Sequence, residues 1–393
     1  MKQTSGFIST YSADTFGVCS ALYELGGMVV MHDASGCNST YTTHDEPRWY
    51  DMDSMVYISA LTEIEAIMGD DSKLIEDIVA AALELNPRFI AIAGTPIPAM
   101  TGFDAEAAAR VIEERTGIPS FGFATTGMKS YVHGANLAFE MLAERFVEAP
   151  NKNKSEREQS INILGLTPLD FSVNRSDKSI KAFYEGKGYR VISTWAMGAS
   201  LEDISHSAEA GLNIVVSETG IGAARRLEEK FRIPYKIGIP IGGEDIDVTA
   251  EYLNLESVQN TGTTSDFKAS KAYEYMENSR DAAEILIMGE KIASLSLAKY
   301  LESKIGRKCM GYATTDADED EIIETISSLQ KLEVIIADPL FKPALKLLDK
   351  ERATRIRFVP LPHEAFSGRL YRADIPNLIM DCDSFIERQQ LVH

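Results

Sequence analysis

Short runs of apolar, β-favouring residues alternate along this chain with longer amphipathic stretches, and that alternation leaves few folds open to it. A strand buried on both faces reads as a continuous apolar run, and the crossover that brings the chain back to pair in parallel is a helix with one apolar face. Met28–His32 (MVVMH) and Arg88–Ala93 (RFIAIA) read as such strands, and between them Ser72–Leu85 sets Leu74, Ile75, Ile78 and Val79 on one helical face. Ala105–Thr116 and Pro119–Phe123 repeat the unit. A second batch has strands at Ile161–Leu166, Arg190–Thr194, Leu212–Ser217 and Tyr235–Ile239, with helices near Asp177–Gly188, Leu201–Ala210 and Gly220–Phe231. A third has strands at Glu284–Met288, Lys308–Tyr312, Glu333–Ala337 and Arg355–Val359, with helices at Ala293–Lys304 and Glu319–Leu329. The expected fold class is α/β, with three Rossmann-like domains, each a parallel sheet flanked by helices, around a cleft. Polar stretches at Pro150–Ser160 and from Gly242 to about Ser265 separate the batches, so the expected domains are 1–155, 156–262 and 263–393.

Charge narrows the partners. With 39 basic and 59 acidic side chains the formal charge is −20, which repels phosphate backbones and anionic lipid heads and argues against nucleic acid and membrane surfaces. An acidic surface suits a basic docking partner. No signal-peptide core follows Met1, and no apolar run of about eighteen residues occurs, so a cytoplasmic location is expected. There is no GxxxxGK[ST] phosphate loop, so ATP hydrolysis is not expected of this chain.

Four cysteines occur, Cys19, Cys37, Cys309 and Cys382, too few for a disulfide framework at this length. Cys19 in Gly17-Val18-Cys19-Ser20, ahead of an apolar helix, and Cys37 in Ser35-Gly36-Cys37-Asn38, directly after the first strand, both read as lying at element ends with a glycine before each, and the Cys37 loop lies where a strand feeds a helix. Such thiols are either buried small residues or ligands, and their spacing alone does not decide, because two thiolates do not complete a four-cysteine iron–sulfur shell. His32 and Asp33 end the first strand near Cys37 and could tune or protonate a site there; His44-Asp45-Glu46 offers further ligand atoms. Arg225-Arg226 could receive an anion at a helix start, or Arg226 could pair with Glu228 or Glu229. Cys309 and Cys382 read as structural.

The segment MVVMHDASGCNSTYTTHDEPRWY, followed by YISALTEIEAIMGDDSKLIEDIVAAALELNPRFIAIAGTPIPAMTGFDAEA, resembles the cluster-binding part of nitrogenase component 1 proteins. Thr62-Glu63, Gly69, the following helix, Thr95-Pro96 and Gly102-Phe103-Asp104 come in that family's order. FGFATTGMKSYVHGANLAF and the stretch from Tyr189 (YRVISTWAMGASLEDISHSAEAGLNIVVSETGIGAARRLEEKFRIPY) continue the likeness. It grows looser at Gly289-Glu290-Lys291 and LPHEAFSGRLYR. The resemblance implies a [4Fe–4S] cluster shared across a dimer interface, with Cys19 and Cys37 as this chain's ligands and Gly36 beside them. Thr95 stands where the family has a third cluster cysteine. Ser217 stands where a cofactor-binding cysteine would be, and His363 where the histidine at the cofactor's other end would be. The cleft is thereby expected to take a second metallocofactor or a tetrapyrrole-like ligand, with His363 as ligand, proton donor or anchor.

These likenesses point to a nitrogenase-like reductase component, a homodimer or a heterodimer with a related component 1 subunit. It would accept electrons from an ATP-dependent iron-protein reductase and reduce an unidentified substrate. Two rival expectations use the same fold: a scaffold or carrier for metallocofactor assembly, and a cluster-free small-molecule binding protein.

Overall fold

The structure is a computed structural model, and it describes residues 12–34, 36, 38, 41, 45–151, 157–260 and 282–391. Its strands form three four-stranded parallel sheets of one topology. The first contains β1 (Met28–His32), β2 (Met55–Ile58), β3 (Ile90–Gly94) and β4 (Ser120–Phe123) in the order β2-β1-β3-β4. The second contains β5 (Ser160–Leu166), β6 (Arg190–Ala196), β7 (Leu212–Val215) and β8 (Tyr235–Ile237) in the order β6-β5-β7-β8. A two-stranded ribbon follows, β9 (Pro240–Ile241) with β10 (Glu244–Asp245). The third sheet contains β11 (Ile285–Gly289), β12 (Cys309–Ala313), β13 (Val334–Ala337) and β14 (Arg357–Pro360) in the order β12-β11-β13-β14. The class is α/β, as the alternation of runs implied.

Period-two alternation decides which layer each strand residue joins. In the first sheet Val29, Met31, Ala91 and Ala93 face a large apolar cluster that reaches into all three units, while Met28, Val30, Ile90 and Ile92 face a separate one. That second layer is built by Leu74, Ile78, Val79 and Ala82 of α3 (Ser72–Leu85) and by Ala108, Ala109 and Ile112 of α5 (Ala105–Thr116). In the third sheet Ile285, Ile287, Val334 and Ile336 join the large cluster, and Leu286, Met288 and Ile335 its outer layer. Helix α5 begins at Asp104, whose carboxylate accepts from Ala107 N–H at 2.9 Å, and stops at Gly117 with φ +72°. That pairing of acidic cap and left-handed glycine is what a short βαβ crossover needs.

Two elements depart from expectation. Met55–Ile58 pairs in parallel with β1 as an edge strand that periodicity did not mark, because a half-exposed edge needs no continuous apolar run. The acidic stretch read as a connection carries a helix, Thr249–Asn260. Tyr252 within it is buried against Lys291, so tertiary contact overrides its polar composition. The domain boundaries at 155/156 and 262/263 fall among residues outside the described set, and we keep them as a proposal.

The first unit meets the second through α1 (Asp14–Leu22) and α6 (Tyr131–Arg145), which cross at two glycines. A Cβ on Gly17 would lie 2.0 Å from the Tyr131 carbonyl oxygen, and one on Gly134 1.8 Å from the Asp14 carbonyl oxygen. The backbones touch, so α1 is buried along its whole length. Replacing Gly134 by Ala forces the helices apart and is expected to lower stability by about 1–3 kcal/mol or more, read as a lower urea midpoint at unchanged m-value.

Candidate functional site

The first candidate region lies at the carboxyl ends of β1 and β3. Thr15 Oγ1 donates to the Gly94 carbonyl at 2.9 Å, tying the start of α1 to the end of β3. Beyond β1, the Asp33 carboxylate accepts from Asn38 Nδ2 at 2.6 Å, and the Thr95 hydroxyl reaches both Asp33 Oδ1 (3.0 Å) and the His32 carbonyl (2.8 Å). Thr95 therefore closes a strand-end turn with an oxygen where a thiolate was the family expectation. His32 stacks on Phe103 at 4.4 Å, sits 2.8 Å from Ser59 Oγ through Nδ1, and is pushed down to about 4 by burial, so it is neutral at ordinary pH.

Cys19 lies inside α1 rather than at an element end, with 0 % of its surface exposed. Burial and then the nearby Glu46 carboxylate push its thiol well above the usual range. The loop after β1 folds back onto this helix: Tyr41 stacks on Phe16 at 4.4 Å and donates to Glu46 at 2.8 Å. Arg48 binds Glu46 (2.6 Å), Glu24 (2.9 Å) and the Ser20 carbonyl (2.8 Å). Cys37 and His44 lie outside the described residues. Of the described residues near them, Asn38, Tyr41 and Asp45 are buried, and Tyr41 packs on Phe16 of α1. Gly36 is exposed, with no described atom within 4 Å of the position of a Cβ, so close packing does not demand a glycine there. Asp45 pairs with Arg369, and Glu46 with Arg48. Among the described residues no group of three His, Cys, Asp or Glu side chains is placed to hold a metal ion.

The second region lies where the three units meet, and it gathers both positions that the resemblance assigned to a cofactor. Ser217 follows β7 and donates to Asp170 Oδ2 at 2.5 Å. His363 caps the helix Glu364–Tyr371, and its Nε2 faces Asp170 Oδ1 at 3.7 Å. Asp170 itself escaped the sequence reading. It lies on the short helix Pro168–Phe171 directly after β5, and also accepts from Thr167 Oγ1 at 2.9 Å and from the Tyr131 hydroxyl of α6. The strand-end rule was the signal that could have found it: Thr167-Pro168 opens a helix at the carboxyl end of a central strand.

Glu290 completes the group. As the cap of the helix Lys291–Ile305 it accepts Ala293 N–H at 2.7 Å and Glu218 N–H at 2.8 Å. Glu218 in turn accepts from Tyr252 at 3.1 Å and pairs with Lys291 at 3.3 Å, at the edge of a cleft of about 670 Å³ between the second and third units. Burial, and for Glu290 then the Asp170 and Glu218 charges, raises both Asp170 and Glu290 above the usual carboxylate range. The donors around Asp170 oppose burial without cancelling it. His363 is pushed down to about 4 by burial alone.

The other sequence candidates serve as structure. Arg225 pairs with Glu256, and Arg226 with Glu229 and Glu144, both at 2.7 Å. Cys309 opens β12 half-buried, its thiol against the Arg307 carbonyl at 3.4 Å, and Cys382 is buried in the helix Leu378–Arg388.

Comparison with known proteins adds the family. Residues 14–261 match the sequence profile described as nitrogenase component 1 type oxidoreductase. The nitrogenase iron-molybdenum cofactor biosynthesis protein NifE of Clostridium pasteurianum is 25% identical over 289 residues, 68% of this chain and 60% of that protein. A light-independent protochlorophyllide reductase subunit of Prosthecochloris aestuarii is 29% identical over 188 residues, 46% of this chain and 34% of that protein. The chain thus spans between a third and three fifths of the length of these relatives. The solved structure "Nitrogenase Cp1 at pH 6.5" matches the fold with a TM-score of 0.63 at 16% identity, covering 100% of this chain and 94% of that one. No described helix is long and apolar enough to cross a membrane.

The buried acids make stability depend on pH. Asp170 has a raised folded-state pKa, so its contribution is present in full below the ordinary carboxylate range and is lost as pH climbs through the raised value. Urea titrations from about pH 4 to about pH 8 should show wild-type stability falling across that window, and Asp170→Asn, which cannot ionise, falling less steeply.

Proposed function

This chain belongs to the family of nitrogenase component 1 type oxidoreductases, and we propose that it works as one subunit of a nitrogenase-like reductase. In this reading it docks an ATP-dependent iron-protein partner at the carboxyl end of its first sheet and takes electrons there for an unidentified substrate. The observation that carries the reading is an exposed apolar face at that end. Ile64, Ile67 and Met68 of α2 (Glu63–Met68) are 74 %, 75 % and 72 % exposed, and Met100 of α4 (Pro96–Thr101) is 88 % exposed. Ile67 and Met68, with Ala34, Ala66 and Ile97, line a groove of about 660 Å³ after the end of β1. Large apolar side chains clustered on an otherwise acidic chain mark a docking surface. Glu63, Glu65, Asp70 and Asp71 rim it with negative charge, which suits a basic collar on the partner.

An iron–sulfur cluster would supply one-electron, low-potential chemistry at this end. The residues fit it in part: Cys19 offers a thiol at the sequence-matched position, and Cys37, the other thiol the resemblance assigns, lies outside the described residues. Two cysteines per chain require a second subunit for the remaining thiolates, identical or related. The polypeptide's share is to close the site against water through Tyr41, Glu46 and Arg48, and to hold Asp33 and Thr95 at the strand ends.

A second reading is favoured by the likeness to NifE, a cofactor biosynthesis protein: this chain could carry a metallocofactor under assembly. Repeated turnover with an iron protein and ATP supports the reductase, whereas a single transfer per binding cycle supports the carrier.

Two measurements check the proposal. Anaerobically purified protein should contain iron and give an iron–sulfur EPR signal on dithionite reduction, and Cys19→Ser should lose most of that iron; iron-free wild-type protein sinks the reading. Ile67→Asp combined with Met100→Asp should weaken iron-protein binding about tenfold or more while leaving the iron in place.

A further inference from the structure

The resemblance puts a second cofactor between Ser217 and His363, and three features of that junction disagree. Ser217 offers an oxygen instead of a thiolate, and its proton is committed to Asp170 Oδ2 at 2.5 Å while Thr219 N–H approaches the same serine oxygen at 3.2 Å. His363 offers neither ring nitrogen to a metal. Its Nδ1 accepts the Ala365 N–H at 3.3 Å, so in the neutral ring Nε2 carries the hydrogen. That Nε2 is buried without a hydrogen-bond partner among the described residues and points toward Asp170 Oδ1 at 3.7 Å.

Space is the third point. Asp170 stands between the two residues, held by Thr167, Ser217 and Tyr131 from two different units. A cavity of about 60 Å³ beside His363 and Glu290 is lined from the third unit and by neither Ser217 nor Asp170, so what occupies the space between Ser217 and His363 is Asp170 itself.

We infer that Asp170 takes the place of the second cofactor: the junction is filled by the protein itself, and what this chain presents between Ser217 and His363 is a buried carboxyl group facing an imidazole N–H. The inference deepens the reductase reading, on which it rests for an electron source at the carboxyl end of the first sheet. Its geometry stands apart from that reading, because Cys19 takes no part in the junction. The groups facing Asp170 are Tyr131 from α6, Thr167 from its own turn, Ser217 and Glu218 from the loop after β7, and His363 and Glu290 from the third unit. Each element contributes a side chain of the size and polarity that closes the space, which is how a filled junction differs from an open one. Substrate or cofactor required by the family reading is therefore met outside this junction.

The test uses full-length protein purified anaerobically, with elemental analysis for iron and other transition metals and an absorbance scan for a bound chromophore. Ser217→Ala, His363→Gln and Asp170→Asn should keep the wild-type metal content and spectrum, whereas Cys19→Ser loses iron. A metal or chromophore lost in His363→Gln but kept in Cys19→Ser overturns the inference. Should a variant fail to fold, wild-type crystals soaked in ferrous iron decide: no anomalous peak next to His363 Nε2 supports the filled junction, and a peak there refutes it. Iron-free wild-type protein would defeat the reductase reading while leaving the crystal test of the junction intact.

Discussion

A carboxyl group removed from water must be given hydrogen bonds or a proton, and Asp170 draws its hydrogen bonds from two of the three units while facing the third. Tyr131 reaches it from the first unit, Thr167 and Ser217 from the second, and His363 faces it from the third. Leaving such a group unsatisfied costs roughly 1–3 kcal/mol or more, so the units are bound to one mutual arrangement through a single polar point. Neighbouring contacts reinforce it: Ser130 donates to Asp316 at 2.8 Å, Gly222 to Asn136 at 2.8 Å and Ser172 to Glu364 at 2.6 Å. Around them the apolar cluster is continuous, from Phe16 and Phe139 through Trp195 and Leu166 to Ile292 and Leu297. Apolar burial supplies most of the drive to associate, but it is non-directional; the hydrogen bonds choose the geometry.

The two regions of interest are built by opposite means. At the end of the first sheet the chemistry-bearing residues are packed under a folded-back loop, and the adjacent surface is apolar and open. At the junction the polar residues are pulled together and the space between them is used up. The proposed electron-accepting role calls for a face for a partner and shelter for what the partner delivers, and the first region offers an exposed apolar face beside a buried helix under a folded-back loop. The junction has a carboxyl, a neutral imidazole and a second carboxyl on Glu290, all titratable and all screened from solvent.

Much of the scaffold was legible from residues alone, for a physical reason: parallel strands covered on both faces must be apolar throughout, so MVVMH, SINILGL and ILIMG announce themselves. Met55–Ile58 did not, because an edge strand is half exposed, and Thr249–Asn260 did not, because its polar composition hides the burial of Tyr252. Of the candidate residues, Ser217 and His363 come together around one carboxylate, and the residue that joins them was missed. Asp170 has no local signature beyond the turn that bears it. Arg225 and Arg226 looked like an anion site until Glu256 and Glu144, distant in sequence, neutralised them.

The amino-acid sequence by itself determined the repeating βαβ units, the acidic surface, the positions of its cysteines and the family likeness, since these follow from local periodicity, charge and the order of residue types. Tertiary structure alone decided that Cys19 is shut inside a helix crossing, that Thr95 is tied to Asp33, that the His363 tautomer is set by its own helix cap, and that Asp170 fills the junction. Those outcomes depend on which groups far apart in the chain reach one another once water is excluded, and hydrogen bonding at such points is a property of the assembled surfaces, not of any segment.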